Sequence, residues 1–309
     1  MSKLTVTSSP HLRGEKTTCR IMADVLIALS PSVIAACVLY GMRSLLVIAF
    51  CTLSCVLLEY VCRLVMKRKN TVKDLSAAVT GVLLALTLPP DIPLHLTLVG
   101  SATAIVVVKQ MFGGIGNNFV NPALVGRIVM LVSFPGPMTS FRDTVFHDAV
   151  TGATPLNPSH AADVSYLDLF LGNIGGSIGE VCKLAILLGF VYLLLRRVIA
   201  PIIPVFYVGT VALFALFVNQ DVLFTVLAGG LLFAAVFMAT DYVTTPITPV
   251  GKIIFAVGCG LLTACIRFYA KMDESVSYAI VLMNIVTPLI DRLTRRVPFG
   301  SKKGKGGAV

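Results

Sequence analysis

Charged side chains are scarce in this sequence of 309 residues: they make up 13% of the chain, whereas hydrophobic residues make up 56%. So little polar surface cannot cover so much apolar side chain in water, which excludes a soluble globular protein. The mean hydropathy of +0.90 agrees with this exclusion. Apolar runs at 23–42 and 45–66 are long enough to cross a hydrocarbon core of about 30 Å. The composition therefore predicts an all-α integral membrane protein.

Several familiar arrangements of catalytic residues are also missing. The eight cysteines include no CxxC pair, the four histidines show no metal-ligand spacing, and no Ser-His-Asp or Cys-His constellation is visible. Chemistry is therefore expected from a bound cofactor, and no metal site is predicted. Cys51, Cys55 and Cys62 can share one face of a helix, either as ligands of a metal or cluster or as ordinary small apolar residues.

The net charge of +10 raises the question of nucleic-acid binding, but the distribution of the charge answers it. With both termini in the cytoplasm, twenty of the 25 Lys and Arg residues fall on the inner side, Lys109 and Arg127 among them. This asymmetry is the positive-inside rule, so the charge predicts membrane topology and no nucleic-acid partner. The first 21 residues lack the apolar core of a cleavable signal peptide, and the first helix is expected to act as its own signal.

Ten hydrophobic segments flank a polar stretch at 136–178, five on each side: 22–42, 44–66, 74–89, 94–112, 121–135, 179–199, 201–219, 222–240, 251–269 and 276–293. A repeat of five helices, an odd number, places its second copy upside down. The sequence therefore predicts about ten transmembrane helices in two inverted five-helix repeats. Segments 3 and 8 run into Pro-punctuated exits, and segments 5 and 10 are expected to be short. The predicted organisation is a cytoplasmic tail (1–21), the first repeat (22–135), an extracytoplasmic loop (136–178), the second repeat (179–293) and a cytoplasmic tail (294–309).

Two polar stretches interrupt the helices on the predicted inner side. The stretch KQMFGGIGNNFVNPALVGR at 109–127 leads from glycines into a helix N-terminus, which suits an anion or a polar ring; a re-entrant turn packed by neighbouring helices is the alternative. The stretch ATDYVTTPITPVGK at 239–252 carries an aspartate at the membrane edge, as a ligand or as the cap of a polar loop. Asp24 and Glu59 are expected to pair with basic residues. The candidates for a second flavin or ion site are Gly113, Gly114, Gly116, Asn117, Asn118, Asn121, Asp241, Thr244 and Thr245.

A short loop, DAVTGATPL at 148–156, is either an ordinary turn or a chemical attachment point. Together with SPHLR at 9–13 and the two stretches above, in this order, it resembles the D-type subunit (RnfD) of the Rnf ion-translocating electron-transport complexes. The same motifs occur in a relative, the B-type subunit of the sodium-pumping NADH:quinone reductase. The resemblance covers nearly the whole chain. Because the quinone-reductase protein usually carries a longer N-terminal extension, the Rnf protein is expected to be the closer match.

The resemblance implies a covalent cofactor on this loop. In the family, the last threonine of the loop carries FMN through a phosphoester bond, which corresponds here to Thr154. Asp148, Thr151, Gly152 and Ala153 complete the flavinylation pattern. Small neighbours keep the threonine hydroxyl accessible to a flavin transferase, and Asp148 can orient the site or a Mg²⁺ ion. The predicted topology places the loop outside the membrane, where the family's exported transferase acts.

The resemblance further implies a subunit of a ferredoxin:NAD⁺ oxidoreductase in the cytoplasmic membrane of a prokaryote. Its partners would be the other Rnf subunits, and electron transfer would be coupled to movement of Na⁺ or H⁺. Whether riboflavin binds as a second flavin stays open. The alternatives are a subunit of the NADH:quinone reductase type and a flavin-free channel of the urea or ammonium type, since broken helices in inverted repeats also line channels.

Overall fold

The computed structural model of the protein describes residues 17–68, 70–141, 165–270, 272 and 274–295. Helices dominate these ranges. A 3₁₀ turn covers Val72–Asp74, and α4 and α11 continue directly as π-helices over Thr103–Gln110 and Ala234–Met238. The α-helices are α1 (Thr18–Tyr40), α2 (Met42–Val65), α3 (Ser76–Leu86), α4 (Leu94–Ala102), α5 (Pro122–Ser133), α6 (Pro135–Thr139), α7 (Tyr166–Leu171), α8 (Lys183–Leu195), α9 (Ile202–Phe217), α10 (Val222–Leu227), α11 (Leu231–Phe233), α12 (Pro249–Tyr269) and α13 (Ser275–Thr294).

The first helix shows how local chemistry sets its bounds and tolerates a proline. The side chain of Thr17 caps its N-terminus by accepting a hydrogen bond from the Arg20 amide. Pro31 lies inside the helix and leaves a backbone carbonyl four residues earlier without its usual donor. The Ser30 hydroxyl donates to that carbonyl, on Ile27, at 2.7 Å. Gly41, with φ +73°, then ends α1 and allows α2 to begin at the next residue.

The outer surface of the helices is apolar and suits a lipid environment. Four of the described helices (α1, α2, α12 and α13) are long and apolar enough to cross a membrane, and shorter apolar helices accompany them. The outward face of α2 is apolar along its length, since Leu46, Leu53 and Leu64 are each more than half exposed. Soluble proteins do not present such a continuous apolar surface to water. The chain is a multi-pass membrane protein.

Close backbone contacts hold the bundle together. The helix α1 packs against α8, α2 against α3 and α4, α9 against α12, and α12 against α13. Gly189 makes the first of these crossings possible, because a Cβ at this position would lie 2.2 Å from the backbone oxygen of Ala28. Small residues at such crossings let helix backbones approach closely in a membrane, where van der Waals contact stabilises their association.

Segment 8 is interrupted ahead of its Pro-punctuated exit, at a place that the sequence analysis did not select. Helix α10 ends at Leu227, Gly229 takes a positive φ of +69°, and the chain resumes as α11 and its π-helical continuation. The expectation of a short tenth helix was wrong, because α13 runs for 20 residues through Pro288. Packing against the neighbouring helices α12 and α5 supports it. The loop at 148–156 lies outside the described residues.

Candidate functional site

A cavity of about 90 Å³ lies between the C-terminal part of α8 and the turn that follows Met238. We call it the Asp241 cavity. Its walls come from α1, α3, α5, α8 and the π-helical continuation of α4, and they are largely apolar. Its polar lining includes Ser76, Thr80, Lys109, Asn118, Asn121 and Asp241. The structure therefore brings together three of the residues that the sequence proposed for a second site, namely Asn118, Asn121 and Asp241.

The two asparagines serve the cavity in different ways. Asn121 caps α5: its Oδ1 accepts from the Ala123 amide at 3.0 Å, while its Nδ2 donates to the Met238 carbonyl at 3.2 Å. Asn118 is 8% exposed, and its Oδ1 has no hydrogen-bond partner within the part of the chain that the structure describes. A buried acceptor without a donor costs free energy, so Asn118 favours a ligand with an N–H or O–H group.

A second contact joins the two halves of the chain at this point. With its amide oriented to satisfy its neighbours, Asn284 in α13 accepts from the Asn121 amide at 3.2 Å and donates to the Thr244 carbonyl at 3.3 Å. Asn284 is buried, and sequence reasoning did not select it. Its position in the middle of a membrane helix was the available signal, since polar side chains at that depth need partners.

The Gly-rich loop has the predicted backbone, and three of its amides already have partners within the loop or at the end of the preceding helix. Gly113, Gly114 and Gly116 have φ values of +115°, +96° and +91°. The amides of Gly113 and Gly114 donate to the carbonyls of Gln110 and Lys109, and the Asn117 amide donates to Gly114. These donors are therefore not free to bind an anion. The side chain of Asn117 is exposed, away from the Asp241 cavity.

The turn after Met238 is held by its own threonines. Thr245 Oγ1 donates to the Asp241 carbonyl at 2.7 Å, and Thr244 Oγ1 contacts the Asp241 carboxylate at 3.4 Å. Thr287 in α13 donates to the Thr244 carbonyl at 3.1 Å. Thr244 and Thr245 thus position Asp241, whereas neither lines the cavity. Burial raises the pKa of the Asp241 carboxyl, because the surrounding protein disfavours its charged form.

A buried ion pair forms part of the wall of the Asp241 cavity. Lys109 Nζ lies 2.8 Å from Glu59 Oε2 and 2.7 Å from Ser76 Oγ, and both charged side chains are almost fully buried. The expectation that Glu59 pairs with a basic residue is confirmed. The matching expectation for Asp24 is confirmed too, because Asp24 pairs with Arg196 at 3.2 Å.

A second cavity, of about 40 Å³, lies at the opposite, N-terminal end of α8, and Phe141 forms part of its lining. We call it the Arg127 cavity. The guanidinium of Arg127 bridges two carboxylates, with Nη1 2.5 Å from Glu180 and Nη2 2.6 Å from Glu274. Arg127, which the sequence analysis counted among the inner-side charges, is 5% exposed and buried inside the bundle. A buried charge needs partners, and these come from distant parts of the chain.

The cysteines of α2 pack as apolar residues. Cys51 and Cys55 are buried, and Cys51 Sγ lies 3.4 Å from Ser101 Oγ, whereas Cys62 is partly exposed. Within the described ranges, no three His, Cys, Asp or Glu side chains converge in a way that could hold a metal ion.

The bundle is apolar, has a polar cavity at each end and contains a broken helix, and these features together indicate the class of membrane protein. Ionisable groups and interrupted helices at membrane depth mark proteins that handle ions or polar cofactors. Comparison with known proteins narrows the class. The model of the NQR2, RnfD, RnfE family matches residues 5–300. The chain belongs to this family.

Its relatives agree with the assignment over nearly their full lengths. The D-type subunit of the Na⁺-translocating ferredoxin:NAD⁺ oxidoreductase complex of Acetobacterium woodii is 46% identical, with 98% of this chain and 97% of the relative covered. The D-type subunit of the proton-translocating ferredoxin:NAD⁺ oxidoreductase complex of Clostridium ljungdahlii is 40% identical, with 97% of each covered. The D-type subunit of the ion-translocating oxidoreductase complex of Stutzerimonas stutzeri is 36% identical, with 93% of each covered.

Proposed function

We propose that this chain is the D-type membrane subunit of an ion-translocating ferredoxin:NAD⁺ oxidoreductase complex and carries FMN on Thr154. The family match over residues 5–300 carries this proposal, together with the motif DAVTGATPL at 148–156. The protein acts with the other subunits of its complex and needs a flavin transferase to attach the cofactor. Its location is the cytoplasmic membrane, with both termini inside and the 136–178 loop outside. Because a sodium- and a proton-translocating relative have similar identities, the ion is Na⁺ or H⁺.

A pattern shared by the two halves supports the arrangement of ten helices in two inverted repeats within this proposal. The dipeptide Val-Gly occurs twice with a basic residue nine positions after its glycine. Gly100 is followed in this way by Lys109, and Gly258 by Arg267. A Cβ on Gly100 would lie 2.2 Å from Met130 Sδ in α5, and a Cβ on Gly258 would lie 2.5 Å from a Met283 atom in α13. Each glycine thus packs against a methionine of the last helix in its own half.

The two basic residues reach the equivalent short helix of each half, but at opposite ends of the bundle. Lys109 contacts Ser76 at the start of α3 and lines the Asp241 cavity. Arg267 donates to the Thr225 carbonyl in α10 at 2.7 Å and lies near Lys183, which lines the Arg127 cavity. The first helices of the halves, α1 and α8, pack together, and so do the last, α5 and α13. This is the arrangement expected of an inverted repeat.

The Asp241 cavity is the proposed second flavin or ion site. FMN and any second flavin supply electron transfer when bound, and the protein's own residues position them. The unpaired Oδ1 of Asn118 suits the N–H group on the polar edge of an isoalloxazine ring. The cavity of about 90 Å³ is smaller than the whole ring system, so side chains at its mouth must move if riboflavin binds. The Asp241 carboxyl supplies the group that would bind Na⁺ or a proton.

The covalent bond is tested on the denatured protein. Wild-type protein should give a band that fluoresces under ultraviolet light in a denaturing gel, because a phosphoester survives unfolding. Thr154→Val should be dark while still inserted in the membrane, since a change of one loop residue has little effect on folding. Mass spectrometry of the loop peptide should find the added FMN on Thr154.

Thr151 provides the matched control for this experiment, because it is the same residue type three positions earlier in the same loop. Thr151→Val should retain a fluorescent band, although weaker attachment is compatible with its place in the transferase motif. A fluorescent Thr154→Val band, or FMN mass on Thr151, would contradict the assignment. A flavin-free wild-type protein would favour the channel alternative.

A further inference from the structure

The Arg127 cavity contains a lysine in an unusual setting. Lys183, at the first position of α8, is 1% exposed. Its Nζ donates to the backbone carbonyls of Glu180 and Gly229, the latter at 2.9 Å. Among the described residues Lys183 forms no ion pair with a carboxylate, in contrast to Lys109, whose burial is compensated by Glu59. A buried ammonium held by carbonyl oxygens alone is costly in free energy, so its surroundings suit a cation.

The break between α10 and α11 creates one of these oxygen ligands. Helix α10 ends at Leu227 and α11 begins at Leu231, so the Gly229 carbonyl points out of the helical hydrogen-bond pattern. Gly229 has a φ of +69°, which turns the backbone at this point. Carbonyls exposed by a break in a membrane helix coordinate monovalent cations in ion-coupled membrane proteins. Here the Lys183 ammonium takes that position.

Two carboxylates complete the environment. Glu180 lies beside the break, because a Cβ on Gly230 would be 2.5 Å from its carboxylate. Glu274 also lines the cavity, and Arg127 bridges the two carboxylates. Arg127 Nε is buried without a hydrogen-bond partner, so the network of this cavity is not saturated. The volume of about 40 Å³ leaves room for a small ion or a few water molecules.

We propose that the carbonyl oxygens of Glu180 and Gly229 form a binding site for a monovalent metal cation, with the carboxylates of Glu180 and Glu274 supplying negative charge from the wall of the same cavity. The ammonium of Lys183 occupies this site as a tethered cation, and the free ion replaces it when the lysine side chain moves aside. This inference rests on the proposed role in ion translocation and adds a particular site to it. The site lies at the opposite end of the bundle from the Asp241 cavity and is separated from it by the length of α8, about 20 Å.

The proposal predicts competition between the lysine and the ion. If the ammonium fills the site nine-tenths of the time, removing it should tighten Na⁺ binding about tenfold, because only the vacant fraction binds. We would measure ²²Na⁺ binding by equilibrium dialysis of the intact detergent-solubilised complex. Complexes carrying Lys183→Met should reach half-saturation at about one-tenth of the wild-type Na⁺ concentration. Lys183→Gln, which keeps donors for the carbonyls without the charge, should change binding in the same direction.

Two further variants define the controls. Lys252→Met removes a lysine from the first turn of α12, remote from the Arg127 cavity, and should leave Na⁺ binding unchanged. Glu274→Gln combined with Lys183→Met should cancel the gain, because it removes a negative charge from the wall of the cavity. Unchanged or weaker Na⁺ binding in both Lys183→Met and Lys183→Gln would overturn the proposal. Flavin fluorescence and ferredoxin-dependent NAD⁺ reduction of the same preparations report separately on the proposed function.

Discussion

At the scale of single residues, the buried charges differ sharply in how much they contribute to stability. The pair of Lys109 and Glu59 is 2% and 1% exposed, so removing either partner leaves an uncompensated charge in the bundle. The pair of Arg196 and Asp24 has similar chemistry, but the arginine is 42% exposed to its surroundings. Asp24 itself is 11% exposed, but it also accepts a hydrogen bond from the Tyr192 hydroxyl at 3.1 Å and so keeps a partner when Arg196 is removed. The second pair, with its exposed arginine, is therefore expected to contribute less than the first. The two pairs therefore allow a fully buried ion pair to be compared with a partly exposed one in the same chain.

We expect Lys109→Met to lower the free energy of unfolding by about 3–5 kcal/mol, because Glu59 remains buried and unpaired. The double variant Lys109→Met, Glu59→Gln should recover much of this loss, since no charge is then left in the bundle. Arg196→Met should cost no more than about 1 kcal/mol. Reversible unfolding of the detergent-solubilised protein measures all three. Equal losses for Lys109→Met and Arg196→Met would show that burial does not govern the Lys109 pair.

Asp241 predicts a particular dependence of stability on pH. Its burial raises the pKa of the carboxyl in the folded state. A raised pKa stabilises the fold below the unfolded-state pKa of about 4, and this stabilisation is lost as the pH rises through the folded-state pKa. Asp241→Asn removes the titration. We therefore expect the midpoint temperature of unfolding of the variant to exceed that of the wild type at pH 8 and the difference to shrink towards pH 4.

Asp221 provides a control of the opposite sign. A hydrogen bond from the Tyr166 hydroxyl lowers the pKa of the Asp221 carboxyl, and this residue is exposed at the start of α10. Its contribution to stability is present above the unfolded-state pKa and is lost as the pH falls through the folded-state pKa. Asp221→Asn should therefore be less stable than the wild type at pH 8. If both variants showed the same pH dependence, local burial would not explain the Asp241 effect.

Local signals made some of these residues predictable, whereas distant pairings were not. Pro122 after Asn121 is a helix start that can be read from neighbouring residues, and the structure has Asn121 as the cap of α5. Arg127 reaches Glu180 across 53 positions and Glu274 across 147 positions. No periodicity reports such a contact, because it arises only when the two halves of the chain pack. The sequence therefore indicated the Asp241 cavity but not the Arg127 cavity.

At the scale of elements, two glycines of one loop show that a positive φ and close packing are separate reasons for having a glycine. Gly114 and Gly116 belong to the same loop and have similar φ values of +96° and +91°. A Cβ on Gly114 would lie 2.0 Å from the Arg63 guanidinium, whereas a Cβ on Gly116 would have no neighbour within 4 Å. The sequence predicted the positive φ values and a close approach. It could not identify Arg63 as the group approached.

We expect Gly116→Ala to lower the free energy of unfolding by about 1–2 kcal/mol, the cost of a left-handed conformation for a residue with a Cβ. Gly114→Ala should cost more, because the buried Arg63 must also move. Gly136→Ala is the matched control, since it has neither a positive φ nor a close neighbour. Denaturant or thermal unfolding gives the order of the three variants. A Gly114→Ala protein as stable as Gly116→Ala would mean that Arg63 adapts without cost.

The helices also show why some interruptions can be predicted from sequence and others cannot. The paired glycines at 229–230 divide segment 8 into α10 and α11. Because they have no side chains, they can take backbone conformations that end a helix. Pro288 has an equally strong local tendency to break a helix, yet α13 continues through it. Packing of α13 against α12 and α5 maintains the helix there. Tertiary contacts therefore decide whether a local breaker interrupts a membrane helix.

At the scale of the whole molecule, the positive-inside rule concerns basic residues that can reach the membrane surface, so the buried ones must be left out of the count. Five basic residues are each no more than 9% exposed, so none of them interacts with the membrane surface: Arg63, Lys109, Arg127, Lys183 and Arg267. Three of these residues were assigned to the inner side and two to the outer side, and their removal leaves the inner excess unchanged in sign. The exposed basic residues that remain, such as Lys67 and Arg68 after α2, carry the topological signal.

We therefore expect both chain termini in the cytoplasm and the 136–178 loop outside. A cysteine introduced at Ser159 should react with a membrane-impermeant maleimide in intact cells. Cys19, which is exposed at the start of α1, is the internal control for the opposite side and should react only after lysis. Both proteins should carry Cys265→Ser, because that cysteine is exposed too, and the Ser159→Cys protein should also carry Cys19→Ser, so that the signals stay separate. Labelling of Ser159→Cys only after lysis, or labelling of Cys19 in intact cells, would reverse the topology and place the 136–178 loop inside.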